Sequence, residues 1–143
     1  MGPLLLPAVA AVHLYARPGR RELVPAAVAM ILGYAADSAL VLLGLLHFPE
    51  QTRLGAPSPA WMVALWGSFG IALRASLGWL RTRRRLAAAL GAVGGPMAYF
   101  GGAALGAVRL ESPAWLSLAA VGGLYLLATP LLCAVAERGP ARE

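Results

Sequence analysis

The chain has 143 residues, of which 59% are hydrophobic and only 13% charged, and its mean hydropathy is +0.71. An ordinary soluble domain, with about a quarter of its residues charged, is excluded, and a single integral membrane domain over residues 1–143 is expected. The net charge of +6 does not mark a nucleic-acid binder, because the charges sit between apolar runs and not on one face interleaved with aromatics.

In chain order, the first apolar stretch is Pro3 to Ala16, about 21 Å long as a helix and too short for a full crossing. Four further stretches are long enough to cross a bilayer: Leu23 to Phe48, Ala60 to Leu80, Leu86 to Val108 and Pro113 to Val135. The expected fold is all-α, a polytopic transmembrane helix bundle of four full spans plus one short N-terminal apolar helix. The first positive charge, Arg17, follows the first apolar stretch instead of preceding it, so no cleavable signal peptide is expected. The connectors at 16–22, 49–59, 81–85 and 109–112 are short and rich in turn residues.

Two spans open with the same four residues, Ser58-Pro59-Ala60-Trp61 and Ser112-Pro113-Ala114-Trp115. Serine as the N-cap, proline at the first helical position and tryptophan at the headgroups account for both copies without an internal repeat. Orientation follows from the arginines. Arg17, Arg20, Arg21, Arg81, Arg83, Arg84, Arg85, Arg138 and Arg142 fall on one side and Arg53 and Arg109 on the other. The arginine-rich side is expected to be cytoplasmic, with the C-terminus there and the chain in a bacterial inner membrane.

Two ionisable residues lie inside apolar runs, at an insertion cost of about 2.5–3.5 kcal/mol each at mid-helix. Asp37 is placed within a residue or so of the middle of its span, and Arg74 about 6 Å to the cytoplasmic side of its own midpoint. The two are separated by roughly 8 Å along the membrane normal, within reach of an extended arginine; Arg74 otherwise snorkels to the inner headgroups. Asp37 cannot snorkel, so it is protonated, paired or turned to a polar cavity. Ser38 and Tyr34 are candidate hydrogen-bond donors to it, and a structural carboxyl and a working one both fit.

In the span from Leu86, residues Gly91, Gly95, Ala98, Gly102 and Gly106 form a stripe of small side chains with two GxxxG units, suited to close helix packing or self-association. Pro96 beside Gly94 and Gly95 is a candidate kink or hinge. Tyr99, near mid-membrane, suits a packing seam or a lipid pocket. His13 and His47 lie at opposite ends of their stretches, and Cys133 is the sole cysteine, so neither a metal site nor a disulfide is expected. No hydrolase, nucleotide-binding or zinc motif is present, no cofactor is implied, and catalysis is not expected from a known constellation.

The segments GYAADSALVLLGLLHFP, SPAWMVALWGSFGIALRASLGWL and LAAALGAVGGPMAYFGGAALGAV resemble the bacterial inner-membrane proteins defined by the domain of unknown function numbered 2878. The likeness runs from about Pro3 onward and is most specific at Asp37-Ser38 and at Gly95-Pro96-x-x-Tyr99. The resemblance implies a compact bundle of hydrophobic helices without an established activity. It also implies gene neighbours of the cyclopropane-type fatty acyl methyltransferase and flavin oxidoreductase classes, hence a place beside membrane lipid modification. Members carry a further apolar segment before the position of Pro3, so this sequence is expected to start late. They also carry an Asn-His pair where this chain has Arg74 and Ala75.

Three functions follow. The first is a non-catalytic accessory that holds a fatty-acyl-modifying enzyme or its lipid substrate in the bilayer. The second is a small oligomeric, proton-linked carrier using Asp37 with Pro96 as hinge. The third is a lipid-acting enzyme with Asp37 and Tyr99 as acid and base.

Overall fold

The computed structural model describes residues 20–49, 57–111 and 113–137; the stretch 3–16, His13, Ser112 and the arginines Arg17, Arg53, Arg138 and Arg142 lie outside them. Four helices carry the described chain: α1 (Arg20–Leu42), α2 (Ala60–Ala75), α3 (Arg84–Ala104) and α4 (Ala114–Glu137). A 3-10 turn, Gly78–Leu80, follows α2, and two short strands, β1 (Leu46–His47) and β2 (Arg109–Leu110), follow α1 and α3. α1 over Leu23–Leu42, α3 and α4 are long and apolar enough to cross a membrane. The expected fourth full span is shorter: the apolar part of α2 is Ala60–Arg74, about 22 Å, and the chain from there to Leu80 is a turn and the 3-10 segment.

Glycine sets two of the helix ends. In α1, Gly44 at φ 68° bonds back to Val41 O while the Leu45 amide reaches Leu40 O. In α3, Gly106 at φ 74° bonds to Ala103 O and the Ala107 amide to Gly102 O. Both are Schellman closures, with glycine in the left-handed position that a Cβ disfavours. The expected helices over 23–48 and 86–108 therefore stop early, at Leu42 and Ala104. Gly106 terminates α3 instead of extending its stripe of small residues.

Beyond these closures β1 and β2 pair antiparallel, Leu46 with Leu110 and His47 with Arg109. The Ser117 hydroxyl and the Glu111 amide also donate to Leu45 O, at 2.6 and 3.2 Å. The two hairpins thus repeat each other: apolar helix, glycine closure, short strand, second apolar helix. Asp37 and Tyr99 stand 62 residues apart, as do Gly44 and Gly106 and the paired His47 and Arg109. The likeness between hairpins therefore runs further than the shared Ser-Pro-Ala-Trp words. Ser58 is not the expected cap: the N-cap of α2 is Pro59, without a side-chain hydrogen bond. Ser58 lies one residue too early, and its buried Oγ has no partner among the described residues.

α1 packs on α2, α3 on α4, and α4 on α1, with a lighter touch between α2 and α4. The α3–α4 seam is built from small residues. A Cβ on Gly91 or Gly95 would run into Thr129 and Tyr125 of α4, and one on Gly122 would meet Ala92 O at 3.1 Å and Pro96 Cγ at 3.2 Å. Pro96 has no amide to give to Ala92 O, and that freed carbonyl is turned toward Gly122. Gly91 and Gly95 of the stripe are thus occupied by this chain's own α4, whereas Gly102 faces Val108. No such close packing joins α2 to α3. Where the repeat would place a counterpart of the α1–α4 contact, a cleft remains.

Candidate functional site at the floor of an apolar cleft

Asp37 is fully buried and lies about 9 Å beyond the middle of α1, toward Gly44, because the helix is shorter than the apolar run. Its Oδ2 accepts a hydrogen bond of 2.9 Å from Trp66 Nε1 on α2, and its Oδ1 accepts one from the Tyr99 hydroxyl on α3. Each carboxyl oxygen thus has a donor, which lowers the cost of carrying it inside the bundle. Ser38 is buried beside it, and its hydroxyl has no partner among the described residues, so Ser38 does not serve as the donor expected from sequence.

Trp66 reaches the carboxyl because Gly33 leaves room: a Cβ on Gly33 would fall inside the indole ring. Tyr125 of α4 completes the group. Its ring lies 4.8 Å from that of Trp66, tilted by 30°, and 6.2 Å edge-on from that of Tyr99. Gly95 gives Tyr125 its place, since a Cβ there would come within 2.6 Å of Tyr125 Cγ. All four described helices therefore meet at one carboxyl and three aromatic rings.

Trp66, Tyr99 and Tyr125 also line the cleft between α2 and α3, a cavity of about 730 Å³. Asp37 does not line it. The wall is almost wholly apolar, and it runs from Leu77 and Leu80 at one end to Trp61 and Val108 at the other. The open wall is glycine: a Cβ on Gly94 or Gly101 would meet nothing within 4 Å.

Arg74 is elsewhere. It sits in the last turn of α2, and its guanidinium donates to Ala136 O at 3.3 Å, as does that of Arg81. No hydrogen bond or ion pair joins it to Asp37 among the described residues: Trp66, the α2 partner of Asp37, stands eight residues before Arg74, about 12 Å along the helix. The arginines instead satisfy a carbonyl in the last turn of α4, where a cation is favoured. Arg84 adds an ion pair of 3.1 Å to Glu137. Trp61 stacks edge-on against Phe48 at 5.8 Å, whereas Trp79 and Trp115 are exposed on the surface. His47 is exposed in β1, and among the described residues no three His, Cys, Asp or Glu side chains gather as metal ligands.

Of the residues expected to matter, the structure joins Asp37 and Tyr99, sets Ser38 beside them and leaves Arg74 apart. Trp66, Tyr125 and Gly33 were missed. Tryptophan and tyrosine within a span read as interfacial or core residues, and the only signal for Trp66 was its place six residues into a span, deeper than a headgroup belt.

The fold and site define a helical protein with three helices long and apolar enough to cross a membrane and an apolar cleft over a buried carboxyl. Residues 1–131 match the sequence profile of a family described as protein of unknown function (DUF2878), and the chain belongs to that family. No curated protein and no solved structure matches it.

Proposed function

We propose that the protein is a non-catalytic accessory of fatty-acyl modification in a bacterial inner membrane, multi-pass with its C-terminus cytoplasmic, holding a lipid acyl chain in the α2–α3 cleft for an associated enzyme. The observation that carries this reading is the cleft itself. Its volume of about 730 Å³ lies in the range of small-molecule sites, about 300–1,000 Å³. Its wall is almost wholly apolar, and it runs along α3 from Leu90 to Leu105, about 22 Å, the form of a chain and not of a compact polar solute. Arginines gathered at the inner end support the orientation.

The test is native mass spectrometry of the full-length protein from mild detergent. Bound acyl lipid is expected on the wild type and its loss on Gly94→Phe/Gly101→Phe, which fill the cleft from positions where a side chain meets nothing. Equal lipid on both would refute the cleft as the site. The accessory role is read separately from the acyl-chain profile of membranes with and without the gene, where a specific change in methylated, cyclopropane or unsaturated chains is expected.

A second reading, a lipid-acting enzyme, is favoured by one feature: Tyr99 both donates to Asp37 and lines the cleft, so a carboxyl-bound phenol faces the place of the substrate. Turnover of a defined lipid by purified protein, lost in Tyr99→Phe, would establish it.

A further inference from the structure

The end of the cleft formed by Leu77 and Leu80 runs directly into the segment Arg81-Thr82-Arg83-Arg84-Arg85. The Arg83 amide bonds to Leu80 O at 3.0 Å, which fixes the basic segment to the cleft wall. Two of its arginines are already engaged, Arg81 with Ala136 O and Arg84 with Glu137. Arg83 and Arg85 are exposed, and their side chains make no hydrogen bond or ion pair among the described residues. Arg83 stands two helical turns before Leu90, which lines the cleft, and so lies at the foot of the same face of α3.

Two further features point to a ligand there. α3 begins without a side-chain cap and with no acidic residue in its first turn, so its positive end carries arginines and no intrinsic counter-charge. Beyond that end the cleft wall is apolar along α3, from Leu90 to Leu105, a lining that suits an acyl chain below a charged headgroup.

We infer that the cleft takes an anionic phospholipid, with its phosphate on Arg83 and Arg85 and an acyl chain running along α3. The inference rests on the acyl-chain reading of the cleft and adds the headgroup class. Charge complementarity selects the occupant: a neutral lipid would leave both guanidinium groups unanswered at the mouth of an apolar groove.

The experiment uses the full-length protein with Trp79→Phe and Trp115→Phe, so that Trp61 and Trp66 of the cleft wall report. It sits in phosphatidylcholine vesicles doped with phosphatidylglycerol or phosphatidylcholine brominated on the acyl chain. At low salt the brominated anionic lipid is expected to quench at a roughly five- to thirtyfold lower concentration than the brominated neutral one, about fivefold for each arginine. The ratio is expected to fall to near one in Arg83→Gln/Arg85→Gln and in high salt. Equal quenching by the two lipids, or a preference that survives Arg83→Gln/Arg85→Gln, would overturn the inference while leaving the acyl-chain reading in place. Gly94→Phe/Gly101→Phe is expected to remove quenching by both lipids; quenching untouched by it would overturn the acyl-chain reading itself.

Discussion

Tyr99 donates its hydroxyl to Asp37 Oδ1 across the interior of the bundle, from α3 to α1, two helices that do not pack closely on each other. The bond passes beneath the α2–α3 cleft, so the tyrosine ring forms part of the cleft floor while its oxygen is committed to the carboxyl. Breaking this bond leaves a buried polar group short of a partner, and that defines the first expectation. A double-mutant cycle with Asp37→Asn and Tyr99→Phe, read from unfolding free energies in detergent, is expected to give a coupling of about 1–3 kcal/mol. The same cycle with Asp37→Asn and Arg74→Gln is expected to stay within about 0.5 kcal/mol of additivity, because the two side chains share no partner. Coupling to Arg74 and none to Tyr99 would contradict the arrangement.

Glycines that look alike in sequence differ in what stands opposite them. Gly33→Ala and Gly95→Ala force a methyl into the rings of Trp66 and Tyr125, and rigid rings cannot step aside; a loss of about 1–3 kcal/mol is expected for each. Gly94→Ala and Gly101→Ala meet nothing and remove backbone freedom from a helix, so a gain of about 0.5–1 kcal/mol is expected. Thermal unfolding of the four variants side by side checks this, and equal losses at all four would show that the cleft is closed.

These glycines show where sequence reading stops. The helical character and the apolar spans were legible, and Asp37 stood out because an acidic residue inside an apolar run has few explanations. The helix ends were not. Gly44 and Gly106 sit inside uninterrupted apolar sequence, where glycine reads as a packing residue, and only the left-handed backbone that each adopts shows it to be a terminator. The partners of Asp37 depend on which face α2 turns inward, set by Gly33 against Trp66, a contact between residues in separate helices that no local pattern contains. Arg74 was placed near Asp37 by aligning span midpoints, an alignment that fails once α1 ends at Leu42 and α2 at Ala75.

Arg74 and Arg81 donate to one carbonyl, Ala136 O, so each covers for the other. Single substitutions Arg74→Gln and Arg81→Gln are expected to lower stability by about 0.3–1 kcal/mol or less, and the double substitution by more than their sum. Unfolding titrations at low and high salt check it, the effect shrinking as salt screens the exposed part of the cluster.

Thr129→Val tests the unpartnered hydroxyl from both directions. In lipid-stripped protein the change removes a buried group that has no hydrogen bond among the described residues, and a gain of up to about 1–3 kcal/mol is expected. In lipid-loaded protein the same gain is expected, because the hydroxyl is covered by Gly91 and is not open to the cleft. Melting temperatures with and without added phospholipid check this, and a gain lost on adding lipid would show that the hydroxyl opens to the cleft.

The central claim is that the α2–α3 cleft holds an acyl chain. The most direct measurement is photocrosslinking of the full-length protein in bilayers containing a phospholipid with a diazirine at mid-chain, followed by peptide mapping. The account predicts labels concentrated on the cleft wall, between Trp61 and Phe69 of α2 and between Leu90 and Leu105 of α3, and their loss in Gly94→Phe/Gly101→Phe. Labels spread evenly over outward residues such as Ile31, Leu127 and Leu131, unchanged by filling the cleft, would contradict it.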